Sequence, residues 1–310
     1  MAPTDCAHQL GQRCKSVAPA LSRGTASRLI ICGVQRRLAV LIVAVACCAG
    51  CVVSPWSAEW RQKSDALLAA QESAAEQAKA AGGKKVILAA FALHSESTAF
   101  QGDIVLARNA LRSINAQLPA FMLSNQLEHF SIEYPFATKR NVKGVLASVA
   151  RRADKDSVVV LLFTSHGSPF ELAIKTGYGE YKESLAATEL QDYLEALKPV
   201  PTIIVISACY SGSFVPALSA ENRIIMTSAA RDRSSFGCSP ESDGTYFVQA
   251  LFPKDLDPSA SLWTMFSRAR AQVAEREKSK KLKPSQPQLF IGKGMERSLS
   301  IPLRELLARE

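Results

Sequence analysis

Two stretches decide the fold: SVVVLLFTSHGS (Ser157–Ser168) and TIIVISACYSGS (Thr202–Ser213). Each opens with an unbroken run of aliphatic and β-branched residues and closes in small polar ones. Such a run, without polar alternation, reads as a strand buried on both faces. Ser157–Phe163 and Thr202–Ser207 are therefore two strands of one covered sheet.

Working outward, the same signal recurs at Lys85–Phe91 (KVILAAF), Phe130–Tyr134 (FSIEY), Arg223–Ser228 (RIIMTS) and Leu289–Ile291. Helical spacing lies between these runs. Asp103–Leu118 and Thr138–Ala153 each carry one apolar face. Ala186–Leu197 and the long Ser261–Lys281 complete the set. Upstream, Ala58–Ala81 reads as a helix ended by Gly82-Gly83. Strands alternating with helices predict an α/β domain around a mostly parallel sheet.

In an open parallel sheet the reactive edge lies beyond the carboxyl ends of the strands. There the first stretch presents His166 and Gly167, and the second presents Cys209. A lone buried cysteine is ordinarily a small hydrophobe, and a lone histidine is ordinarily structural. The pair at consecutive strand ends points to chemistry: an imidazole that takes the thiol proton makes a nucleophile and then protonates a leaving amine. The amides of Gly167 and Cys209 are candidates for an oxyanion site.

These residues also carry a resemblance. A strand ending in Ser165-His166-Gly167, followed by one ending in Ser207-Ala208-Cys209-Tyr210-Ser211-Gly212, resembles the legumain-type cysteine peptidases (family C13, caspase-like clan). Ile225–Ala230, Arg231–Cys238, Thr245–Phe247 and Pro284–Gln288 extend the similarity to the bacterial branch. The resemblance implies a caspase-like three-layer α/β/α sandwich. It also implies Cys209 as nucleophile, His166 as general base and acid, and no metal or organic cofactor. Legumain-type enzymes carry an acid two residues before the nucleophile and an arginine after the first strand. Here Ser207 takes the first place, and Ser97–Asp103 contains no arginine, so asparagine preference is not carried over. Ser207, Ser228 and Asp243 are the candidates for the substrate pocket, with Glu241 and Asp232 less favoured.

The 310 residues carry 37 Lys+Arg, 28 Asp+Glu and eight cysteines, a net charge of +9. Nucleic-acid binding and a zinc framework both come to mind, but the distribution speaks against them. Six cysteines lie at or before Cys51, and residues 1–50 hold six basic residues and one acid. Residues 51–310 are left with 31 basic and 27 acidic residues, a net +4. Cys48 and Cys51 have CxxC spacing but no second ligand pair downstream. The remaining chain shows no basic stripe interleaved with aromatics, so no nucleic-acid partner is expected.

Arg36-Arg37 followed by Leu38–Cys51 (LAVLIVAVACCAGC) has the layout of an export signal. The apolar run is shorter than the roughly 20 residues of a membrane span. Ala49-Gly50-Cys51 resembles a lipoprotein signal, which makes Cys51 the expected lipidated residue. An ordinary signal peptide or an uncleaved anchor are the alternatives. A start downstream of Met1, for instance at Val34, would shorten the long leader. The expected organisation is a signal (1–50), a tether with a helix (51–84), a peptidase domain (85–295) and a tail (296–310).

Among other residues, His94 follows the first strand and reads foremost as a loop histidine, with substrate contact second. His129 reads as structural. A Cys209–Cys238 disulfide would silence the nucleophile. Lys139-Arg140 and Lys278–Lys281 face solvent, the latter within reach of anionic lipid.

The sequence thus leads to a cysteine endopeptidase working through a thioester. Its partners are a protein or peptide substrate and, through the N-terminal lipid, a membrane. The expected location is the bacterial cell envelope, facing the periplasm, with the outer membrane favoured. A transpeptidase of the same family and a non-catalytic binding or scaffold module are the alternatives.

Overall fold

The computed structural model describes residues 55–80, 86–127, 131–177 and 181–307. The export signal, Cys51, Gly82-Gly83 and His129 lie outside them. The chain divides into two compact units, residues 1–61 and 62–310, and both sheets lie in the second.

In chain order the elements are α1 (Pro55–Ala80), β1 (Val86–Ala92), α2 (Thr98–Arg112), β2 (Ala120–Ser124), α3 (Lys139–Arg152) and β3 (Val158–Thr164). Then come β4 (Gly167–Ser168), β5 (Glu171–Lys175), β6 (Lys182–Ala186), α4 (Ala187–Tyr193), β7 (Thr202–Ser207), α5 (Val215–Leu218) and β8 (Arg223–Thr227). The last are α6 (Tyr246–Leu251), α7 (Leu262–Ser279), β9 (Gln288–Ile291), α8 (Glu296–Ser300) and α9 (Leu303–Leu307). No helix among the described residues is long and apolar enough to cross a membrane.

Six strands form the main sheet in the order β2-β1-β3-β7-β8-β9. All neighbours are parallel except β8 and β9. Alternation along β1 explains the unbroken apolar run. Val86, Leu88, Ala90 and Ala92 enter one core with Phe100 and Ile104 of α2, Val248 of α6 and Phe266 of α7. Ile87, Ala89 and Phe91 enter the other with Val142, Leu146 and Val149 of α3 and Leu190 of α4. Both faces are covered, so polar alternation would bury unpaired groups. This is an α/β sandwich with a mostly parallel central sheet, as the sequence predicts and as a caspase-like fold requires.

Residues 62–80 of α1 dock on the sheet unit. The Gln71 side chain donates to the Met122 carbonyl at 2.9 Å and accepts from the Met122 amide at 3.0 Å. The amide group thereby acts as a one-residue partner for edge strand β2, whose open hydrogen-bonding side is otherwise an aggregation template. Glu72 accepts from Ser148 and pairs with Arg152 at 2.8 Å. At the other end of the chain, Leu303, Leu306 and Leu307 are buried in the α2–α7 core.

The structure moves several expected elements. The second strand is Ala120–Ser124, not Phe130–Tyr134. Ile132 and Tyr134 are buried without belonging to a strand, so their alternation reports burial alone; Phe130 lies outside the described residues. Helix α2 begins at Thr98, where the expectation is Asp103, because Ser97 caps it by accepting from the Ala99 amide. It ends at Arg112, short of Leu118. The expected Ala186–Leu197 helix divides into α4 and a 3-10 turn over Glu195–Leu197. The antiparallel sheet β4-β5-β6 has no counterpart in the sequence pattern, since only Leu172, Ile174 and Leu185 are apolar anchors in its short strands.

Candidate active site

Strand register brings the site together. Ala92 of β1 pairs with Thr164 of β3, and Thr164 pairs with Ser207 of β7. Two residues beyond each of these three lie His94, His166 and Cys209. The ladder continues past the strand ends, with Leu93 N–H donating to the Thr164 carbonyl and Ser165 N–H to that of Ser207. Neighbouring strands run about 4.8 Å apart, so three reactive side chains leave one sheet edge in phase.

The His166 ring is held by two edge-on contacts. Its centroid lies 4.6 Å from that of His94 and 5.1 Å from that of Phe100. Its carbonyl accepts from the Ala173 amide at 2.9 Å, which anchors it to β5. Burial lowers the imidazole pKa below its ordinary value; Glu96 opposes that shift and Lys175 adds to it. His94 is more deeply buried and falls to about 4, chiefly by desolvation and then by the nearby His166. Glu96 carries a hydrogen-bonded ion pair with Lys175, which holds its carboxyl below the usual range.

Gly167 is required by packing. A Cβ there would lie 2.4 Å from the Cys209 carbonyl oxygen and 3.1 Å from the Ala208 Cβ. The backbone after His166 thus passes directly over the backbone of the cysteine.

Cys209 is buried, 5% exposed, and is a thiol. No disulfide joins it to Cys238. Its Sγ accepts from the Ser235 amide at 3.4 Å and lies 3.6 Å from the Ser235 carbonyl oxygen. The next residue, Tyr210, sits in the left-handed region at φ 59°, where a residue with a Cβ is rare. The Tyr210 amide donates to the Arg233 carbonyl at 2.7 Å, which holds that turn. Phe170, also at positive φ and 49% exposed, is tied to the same loop through its amide and the Ser213 hydroxyl.

The expected pocket residues fall as follows. Ser207 is fully buried, its hydroxyl 2.8 Å from that of Thr245. Ser228 grips the backbone of Ala208, the residue before the cysteine, accepting from its amide and donating to its carbonyl, both at 3.0 Å. Asp243 is exposed, as are Glu241 and Asp232. Beneath the edge lies a carboxyl that the sequence reading passes over. Asp103 accepts from the Thr245 amide at 2.8 Å and bonds the hydroxyls of Thr164 and Thr245 at 2.6 and 2.9 Å. Burial raises its pKa to about 7.

A family model described as the Peptidase C13 family matches residues 138–297. The chain belongs to the peptidase C13 family. That supports a cysteine peptidase, and the matched span contains both His166 and Cys209. His94, Glu96 and Asp103 precede it. Among solved structures, the chain is similar to Chaetomium thermophilum Raptor, at 12% identity with a TM-score of 0.38, over 55% of this chain and 17% of that one. No curated protein matches.

Several residues around this candidate site escape the linear pattern. His94 is visible only by counting two past a strand end, as for His166. Glu96, Lys175 and Ser235 carry no motif and come from segments brought together by folding.

Proposed function

We propose that this C13 chain is an exported, lipid-anchored cysteine endopeptidase of the bacterial cell envelope, with Cys209 and His166 as its catalytic dyad. The observation that carries this reading is the shared register: His166 and Cys209 each stand two residues past the paired ends Thr164 and Ser207 of adjacent strands.

His166 Nδ1 or Nε2 takes the Cys209 proton as Sγ attacks the substrate carbonyl carbon. The oxygen gains the negative charge, and the amides of Gly167 and Cys209 are the donors that would receive it. Collapse breaks the C–N bond, with His166 returning its proton to the departing amine. A thioester on Cys209 remains. Water, deprotonated by His166, hydrolyses it and regenerates the thiol. The substrate is a peptide or protein presented to the membrane-anchored enzyme, and Cys51 is the lipidated residue that holds it there.

A thiol-reactive peptide probe tests the dyad. Labelling is expected in the parent and absent in Cys209→Ala; equal labelling of the two ends this reading. Intact mass of the membrane-extracted chain tests the anchor, which predicts a lipid-modified N-terminal Cys51.

A further inference from the structure

A second chemistry is present beside the dyad. His94, Glu96 and His166 offer donor atoms that all lie within 4.8 Å of one another. Two imidazoles and a carboxylate form a mixed nitrogen–oxygen set, which suits zinc and its first-row neighbours rather than magnesium or calcium. Three protein ligands leave a fourth position open for water.

Lys175 pairs with one Glu96 carboxylate oxygen and can stay there while the other turns to a metal. Bonds of about 2.0–2.1 Å need tetrahedral ligand atoms roughly 3.3 Å apart, so the three must draw together. Glu96 is exposed and swings without disturbing the core. One local contact must yield: the Glu96 amide donates to His94 Nδ1, at a long 3.3 Å.

We infer that His94, Glu96 and His166 form an inhibitory site for a zinc-class divalent cation. The inference rests on the dyad proposed above. A bound cation occupies the imidazole lone pair that must receive the Cys209 proton, so the loaded chain is silent and removal of the metal restores it. The ion is a brake rather than a cofactor, and it leaves the expectation of a cofactor-free reaction intact.

The test uses the untagged full chain, with peptide cleavage followed against buffered free zinc and cobalt binding followed by absorption. Zinc is expected to inhibit reversibly, with magnesium and calcium without effect. His94→Ala and Glu96→Gln, each referred to its own metal-free rate, are expected to need about tenfold more zinc or beyond, since even outer-sphere changes at metal sites cost 10- to 100-fold. Cys209→Ala, inactive under the proposed dyad, is expected to bind cobalt like the parent, with nitrogen–oxygen ligand bands above any thiolate background from the remaining cysteines. Zinc inhibition unchanged in His94→Ala, or cobalt bands lost in Cys209→Ala and kept in His94→Ala, would overturn the inference by placing the metal on the thiol. If no variant or parent cleaves peptide, the dyad reading falls while the cobalt bands of the parent against His94→Ala still decide the metal site.

Discussion

The backbone amide of Ser235 donates a hydrogen bond to the Sγ of Cys209 at 3.4 Å. The nucleophile leaves the end of β7, and the group that meets its sulfur arrives from a loop 26 residues later. A donor aimed at sulfur favours the thiolate over the thiol.

Ser235→Pro removes that donor and is expected to slow alkylation of Cys209 at fixed neutral pH by roughly tenfold, from a hydrogen bond to a charged group worth ~1.5 kcal/mol. Ser235→Ala keeps the amide and is expected to match the parent. Iodoacetamide kinetics with mass detection of the Cys209 peptide check both. Equal slowing by the two variants would assign the effect to the side chain.

Gly167→Ala inserts a methyl 2.4 Å from the Cys209 carbonyl oxygen. Backbone cannot retreat as a flexible side chain can, so the overpacking costs about 1–3 kcal/mol and shifts the histidine away from the cysteine. Thermal unfolding and cleavage rate should fall together. An alanine variant with parental activity would show that the strand ends are further apart.

Burial holds the His166 imidazole below 6.5. A general base acts when neutral, so the acid limb of kcat/KM is expected with its midpoint below pH 6.5. Glu96 favours the protonated form, so Glu96→Gln should move that midpoint lower still. A pH–rate profile in metal-free buffer measures both, and an upward move would contradict the sign.

Asp103 has a folded pKa raised from 3.8 to about 7 by burial. The folded state therefore binds more protons than the unfolded state between these values, and stability contributed below pH 4 is lost as pH rises to 7. The full shift corresponds to roughly 4 kcal/mol. Asp103→Asn mimics the protonated acid, one oxygen accepting from Thr245 N–H and the amide donating to a threonine hydroxyl. Urea unfolding across pH 4 to 8 should show a flatter profile in the variant. Identical slopes would remove Asp103 from the pH response.

The legible part of the molecule was its centre. Val158–Thr164 and Thr202–Ser207 are buried on both faces, and continuous burial writes itself as continuous hydrophobicity. Helix α3, capped by Thr138, emerged as expected because a single apolar face repeats every three to four residues. Strand β2 misled because the edge strand and the buried but irregular Ile132–Tyr134 present equally short apolar runs. The β4-β5-β6 sheet was illegible for a similar reason: its few anchors fall below any period.

Local sequence alone determined the two covered strands, the residues that follow them and hence the family, since these depend on each residue's neighbours along the chain. Only the tertiary structure decided that His94 sits in the same register as His166, that Ser235 meets the sulfur, and that Asp103 is sealed beneath Thr164 and Thr245. Those relationships join residues tens of positions apart, and their energies depend on desolvation and direction. Neither quantity exists until the sheet has closed around the side chains.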